Sequence, residues 1–80
     1  MHSGDAVPLA DARYDAFVVW CEEREKEFVA IDVAITTGVH KGDALTIVAA
    51  RAALRGRDVL DVVGVPCTLV VHDAKPSIEW

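Results

Sequence analysis

A chain of 80 residues has room for one domain, and so short a chain buries a modest share of its surface, which keeps its core thin. Hydrophobic residues make up 52% of it, too many for a disordered polymer, and no run approaches the roughly 20 apolar residues of a bilayer-spanning helix. Eight basic residues against 13 acidic leave a net charge of −5, a field that repels a phosphate backbone, so neither a nucleic acid nor a membrane is expected as a partner.

The opening "MHSGDAVPLAD" is small and polar with one proline. Residues 1–11 therefore read as a frayed segment and 12–80 as a single small domain. The opening has neither a basic region nor an apolar core, so it is not read as a secretory signal. A cytoplasmic location follows as the expectation, with Cys21 and Cys67 reduced and buried as small hydrophobes.

From Tyr14 to Cys21 the chain is rich in valine and aromatics, which favour strands. After the charged "EEREKE", Val29, Ile31, Val33 and Ile35 alternate with Ala30, Asp32, Ala34 and Thr36, a period of two. Two β-prone runs so close together predict a hairpin with arms at 17–21 and 28–35. Against it, the connection lacks glycine and consists of good helix formers. Strict alternation along the first arm puts Phe17, Val19 and Cys21 on one face and Val18 and Trp20 on the other, so both faces are apolar.

Gly38 and Gly42 mark a turn, and Asp43 stands where a helix N-cap would be. Residues 44–54 fit two patterns. As a helix, they bring Leu45, Val48, Ala49 and Ala52 to one face and Ile47 and Leu54 to the other. As a strand, Leu45, Ile47 and Ala49 point inward. The alanines favour the helix and "TIV" favours the strand; the helix is carried forward. Gly56 breaks the pattern. "RDVLDVVG" then reads as a short helical turn capped by Asp58 and stopped by Gly64. Pro66 opens a last strand, "CTLVVHD", and "AKPSIEW" trails off with Ile78 and Trp80 able to dock. The predicted fold is α+β in the order β-β-β-α-β: a small antiparallel sheet with one main helix packed on one face. The uncovered second face calls for a homodimer, with Val18 and Trp20 as interface anchors.

Two stretches carry resemblances. "YDAFVVWCEEREKEFVAI" is similar to the opening hairpin of HicB-type antitoxins, with Phe28-Val29-Ala30 in the place of a "YVA"-like second strand. "GDAL" at residues 42–45 resembles the start of that family's helix. The likeness covers about residues 13–55. It implies a truncated ribonuclease H-like fold, usually dimeric, that binds a small RNA-cleaving toxin. Thr46 and Ile47 replace the family's glutamates, and "VAITTG" stands where "PDLPG" is expected. No DNA-binding segment follows, so a repressor role is not expected. Separately, "DVLDVVGVPCTLVV" resembles a segment of barrel domains in phage tail hubs and secretion-spike proteins, which implies a structural barrel, strand rather than helix at residues 44–52, and assembly into larger rings.

Catalysis finds little support. Ribonuclease H chemistry needs several carboxylates around two metal ions. Asp73 ends a strand suitably, but residues 44–57 contain no Asp or Glu and Asp15 is poorly placed. His72 lies on the opposite strand face from both Asp73 and Cys67, which argues against a shared site. A pairing of Cys21 with His72 from a neighbouring strand stays open, as does a third reading as a small ligand-binding or enzymatic domain using these groups. His40 reads as a solvated turn residue. Arg51, Arg55 and Arg57 read as a solvated edge or, alternatively, a phosphate site. No enzyme activity, cofactor or metal is expected. Glu22, Glu23 and Glu25, with Glu27, form a solvated acidic turn interrupted by Arg24 and Lys26, which disfavours calcium; the functional alternative makes them the surface that meets a small basic protein such as a toxin.

Overall fold

Phe28–Ile35 alternates because it is a strand that sends Val29, Ile31, Val33 and Ile35 into the core and Phe28, Asp32 and Ala34 outward, and the rest of the fold is built outward from it. The computed structural model describes residues 9–80; most of the expected frayed segment, residues 1–8, lies outside the described residues. Five strands follow in chain order: β1 (Ala12–Glu23), β2 (Phe28–Ile35), β3 (Ala44–Ala50), β4 (Pro66–His72) and β5 (Lys75–Glu79). Two 3-10 turns, Arg51–Leu54 and Val59–Val62, join β3 to β4. All neighbouring strands are antiparallel, in the order β3-β2-β1-β4-β5.

The sheet curls until its two edges approach each other. A narrow cavity of about 130 Å³ between β3 and β5 is lined by Ile47, Val48, Ala49, Pro76, Ser77 and Ile78, among others. Followed around the curl, the order is 1-2-3-5-4 and back to 1, and the antiparallel pairings make β3 and β5 run parallel across the seam. This is a five-stranded sheet curled into a small, partly open barrel. No helix among the described residues is long and apolar enough to cross a membrane.

The α+β expectation is overturned at residues 44–54. There is no main helix: Ala44–Ala50 is β3, and only one 3-10 turn, Arg51–Leu54, follows it. The order is all-β, with "AKPSIEW" supplying β5 instead of trailing off. The physical reason lies in the partner. β3 pairs with β2 along its whole length, from Phe28↔Ala50 to Ala34↔Ala44, which satisfies an edge of β2 that a helix would leave bare. Alanine's helix preference amounts to a few tenths of a kcal/mol per residue and yields to such pairing. The expected hairpin is present, its first arm longer than the sequence suggests and its second with the expected bounds, and the turn capped by Asp58 and ended at Gly64 is the second 3-10 segment.

β1 holds a second departure. Val18 pairs with Val33 and Trp20 with Asp32, so Val19 is left over as a β-bulge. The bulge reverses the alternation halfway along the strand. Ala16, Val18 and Cys21 point into the barrel, while Phe17, Val19 and Trp20 are exposed. Two backbone hydrogen bonds pin the bulge, Val18 N–H to the Val65 carbonyl at 3.0 Å and Gly64 N–H to the Val18 carbonyl at 2.7 Å.

Inside, Val18, Cys21, Val29, Ile31, Val33, Ile35, Ile47, Leu69 and Val71 form one core, and the 3-10 turns add Leu54 and Val62 to it. Trp80 straps the chain's last residue back over the first 3-10 turn. Its Nε1 donates to the Ala53 carbonyl at 2.6 Å, and the Arg57 guanidinium lies 4.4 Å from its ring centre.

Candidate interaction face

Register fixes which side chains share the outside of β1, β2 and β3. The rows run Phe17–Ala34–Ala44, Trp20–Asp32–Thr46, Glu22–Ala30–Val48 and Phe28–Ala50. Val19 joins them through the bulge. Trp20, Phe28 and Val48 are 47%, 50% and 52% exposed, and Phe17 and Val19 are also open to solvent. Pro66, paired with Phe17, extends the face onto β4. An apolar face of this breadth on so small a protein is what sets interaction surfaces apart from scattered exposed hydrophobics. The one charge in its middle is Asp32, whose carboxylate accepts a hydrogen bond from the Thr46 hydroxyl at 2.6 Å.

The two ends of the face differ in charge. At one end are the last residues of β1 and the turn to β2, residues 22–27, with four glutamates against Arg24 and Lys26. Glu22 lies 3.5 Å from Arg24 and accepts from Trp20 Nε1 at 3.3 Å; Glu23 pairs with Arg51. At the other end is the β2–β3 loop, residues 36–43, which carries Lys41, His40, Asp43 and the fully exposed Val39 and has no net charge with His40 neutral.

Of the expected interface anchors, Trp20 is on this face and Val18 is not. Val18 is completely buried in its own protomer, because the bulge turns it inward, and it has no surface to offer a partner. Glu22, Glu23 and Glu25 are all exposed, but only Glu25 lies in the hairpin turn; Glu22 and Glu23 end β1, paired with Ala30 and Val29. Phe17, Val19, Phe28 and Val48 were missing from the sequence reading. Phe28 and Val48 could have been found from alternation in β2 and in the strand version of residues 44–50; Phe17 and Val19 needed the bulge.

The candidate chemical groups do not converge. Cys21 and Cys67 are separate free thiols inside the barrel, and burial pushes both thiol pKa values up, with Asp32 adding to the effect at Cys21. High thiol pKa values make poor nucleophiles. His72 is exposed at the β4–β5 turn, 3.6 Å from Asp73, away from the buried thiols. His40 sits edge-on to Tyr14, with ring centres 5.8 Å apart, and its Nδ1 is 3.1 Å from Asp43. His40 and Asp43 border a small cleft of about 210 Å³ with Leu9, Ala44 and Leu45, a cluster the sequence did not suggest. Asp15 accepts from the Thr37 hydroxyl at 3.4 Å.

Arg51, Arg55 and Arg57 form no anion cradle. Arg51 is paired with Glu23, Arg57 lies on Trp80, and Arg55 turns through a left-handed φ of 60°. The open groove of about 740 Å³ beside them is lined by Glu27, Asp58 and Asp61 as well as Arg51 and Arg57. Among the described residues, no group of three or more His, Cys, Asp or Glu side chains is placed to hold a metal ion. Comparison with protein-family models, with curated proteins and with solved structures finds no match to this chain.

Proposed function

We propose that this protein is a small non-catalytic protein-interaction module, a structural barrel whose outer β1–β2–β3 face is the docking surface. The single observation that carries the reading is that face, where Phe17, Val19, Trp20, Phe28 and Val48 stand open around small alanines. The separation of the thiols, histidines and arginines favours binding over chemistry. Of the two resemblances, the tail-hub and spike likeness at residues 58–71 fits a curled five-stranded barrel with strand at residues 44–50. The antitoxin likeness depends on a helix there.

Site-specific photo-crosslinking from position 20 tests the reading in cells that express the protein. A photoreactive aromatic at Trp20 should give a discrete protein adduct, to a second copy or to another protein. The same group at exposed Lys75, on β5, should give none. Equal, diffuse labelling from both positions would remove the support for a docking face.

A further inference from the structure

We infer that β5 is an exchangeable strand: two copies of this chain open their β4–β5 turns and trade β5, so that each β4 pairs with the β5 of the other copy. The inference stands apart from the outer docking face and needs no contact there.

The hinge is Asp73-Ala74. Both residues hold a left-handed φ, 54° and 63°, which crowds the Cβ of any residue but glycine. A two-residue connection relaxes only by opening, and short hinges under strain favour exchange. Extended, the hinge continues the register that runs from Thr68↔Glu79 to His72↔Lys75, which sets Asp73 opposite Ala74 of the other copy. Pro76 already holds Lys75 in the extended region, so the chain beyond the hinge has the shape that the exchanged strand needs. β5 is also a strand that leaves easily. It is five residues long with none of them buried, and among the described residues its ladder is with β4 and not with β3 across the seam.

A second copy returns everything that the departing strand gives up, and this names the partner. Each β5 takes the vacated place in the other copy and remakes the same ladder with β4. It also remakes the Arg13–Glu79 ion pair, the hydrogen bond from Trp80 Nε1 to the Ala53 carbonyl and the contact of Arg57 with the Trp80 ring. The place beside β4 is filled alike in monomer and dimer, so the two differ in the hinge and in the cost of association. Asp11 is the lock on the closed form. Its carboxylate holds the Asp73 and Ala74 N–H groups, at 2.9 and 3.1 Å, only while the turn is made. Strain in the turn pulls towards exchange and Asp11 pulls against it. Each copy brings Asp11, Asp73 and Lys75 to the crossing, with His72 beside them, a small negative charge that physiological salt screens.

Sedimentation velocity of the full chain, held at about 1 mM and then diluted to about 10 µM, tests the exchange. The expected result is a dimer that returns slowly to monomer, because each β5 must first leave its β4. Asp11→Ala should raise the association constant roughly 10-fold and Ala74→Gly should lower it roughly 10-fold, with native circular dichroism spectra as the control for folding. The crossed ion pair supplies a signature of exchange. Arg13→Glu and Glu79→Arg each set like charges together within their own fold. Concentrated as a mixture, they should form the heterodimer in roughly several-fold excess over either homodimer, since each body then meets a β5 of opposite charge. A photoreactive group at position 75 that labels a second copy belongs to the exchange if Ala74→Gly abolishes the adduct. A chain that is monomeric at about 1 mM, both as wild type and as Asp11→Ala, overturns the inference. So does a dimer that Ala74→Gly leaves unchanged, or one without the heterodimer excess. A dimer lost in Trp20→Glu and indifferent to the hinge variants overturns it too, and assigns the contact to the outer face. Failure of position 20 to crosslink, with the hinge effects present, removes the docking face and leaves the exchange standing.

Discussion

Asp11 and Ala74 show how much of the barrel's closure is settled by single residues. The β4–β5 turn has two residues, Asp73 and Ala74, at φ 54° and 63°. Positive φ at both positions matches the twist of a tight hairpin and favours glycine or asparagine; alanine is strained there. Asp11 compensates. Its carboxylate accepts the Asp73 N–H at 2.9 Å and the Ala74 N–H at 3.1 Å, tying the start of β1 to the turn. Ala74→Gly is expected to stabilise the fold by about 0.5–1 kcal/mol, read as a higher urea midpoint with an unchanged slope. The hydrogen bonds from Asp73 and then Ala74 hold the Asp11 carboxyl below its ordinary pKa, and Arg13 does the same for Glu79. Because the folded values lie below the unfolded ones, both groups contribute stability that is complete above the ordinary carboxylate range. It is lost as pH falls through the folded values. Urea midpoints measured on the acid side should therefore drop, and Asp11→Asn should flatten the part of that drop that belongs to the turn.

Among the strands, β2 was fully legible, because Val29, Ile31, Val33 and Ile35 recur at every second position as its core face. So was the turn between Asp58 and Gly64, whose residue types carry their own geometry: the Asp61 carboxylate accepts the Asp58 N–H at 3.3 Å, and Gly64 takes φ 86°. β3 was not, since its three alanines, with Ala52 and Ala53 just beyond them, promote helix locally and the deciding partner, β2, is non-local. The face of β1 was misassigned for another reason. A bulge adds one residue without any composition to announce it, so Val18 and Trp20, two apart, end on opposite sides of the wall. The pair makes a direct test: Val18→Ala should cost about 2 kcal/mol through lost burial and an unfilled space. Trp20→Ala should leave the urea midpoint of the dilute monomer nearly unchanged. A reversed order of effects would put the bulge elsewhere.

The whole molecule is a barrel fold with an acidic surface, and a fold of this type does not dictate what its walls bind. Its topology nonetheless has a consequence for how the chain comes to exist. β1, β2 and β3 pair as neighbours in sequence, whereas the first half of β1, Ala12 through Phe17, pairs with residues 66–71. During synthesis the three-stranded meander is complete some twenty residues before β4 leaves the ribosome. In that interval one edge of the central strand has no ladder partner and the core lacks Leu69 and Val71. The long interval between those pairings is expected to put the folding barrier at the arrival of β4, so that Leu69→Ala should slow folding more than it speeds unfolding. It also makes the unfinished edge of β1 the place where a slow-growing chain is most exposed to joining another chain by mistake.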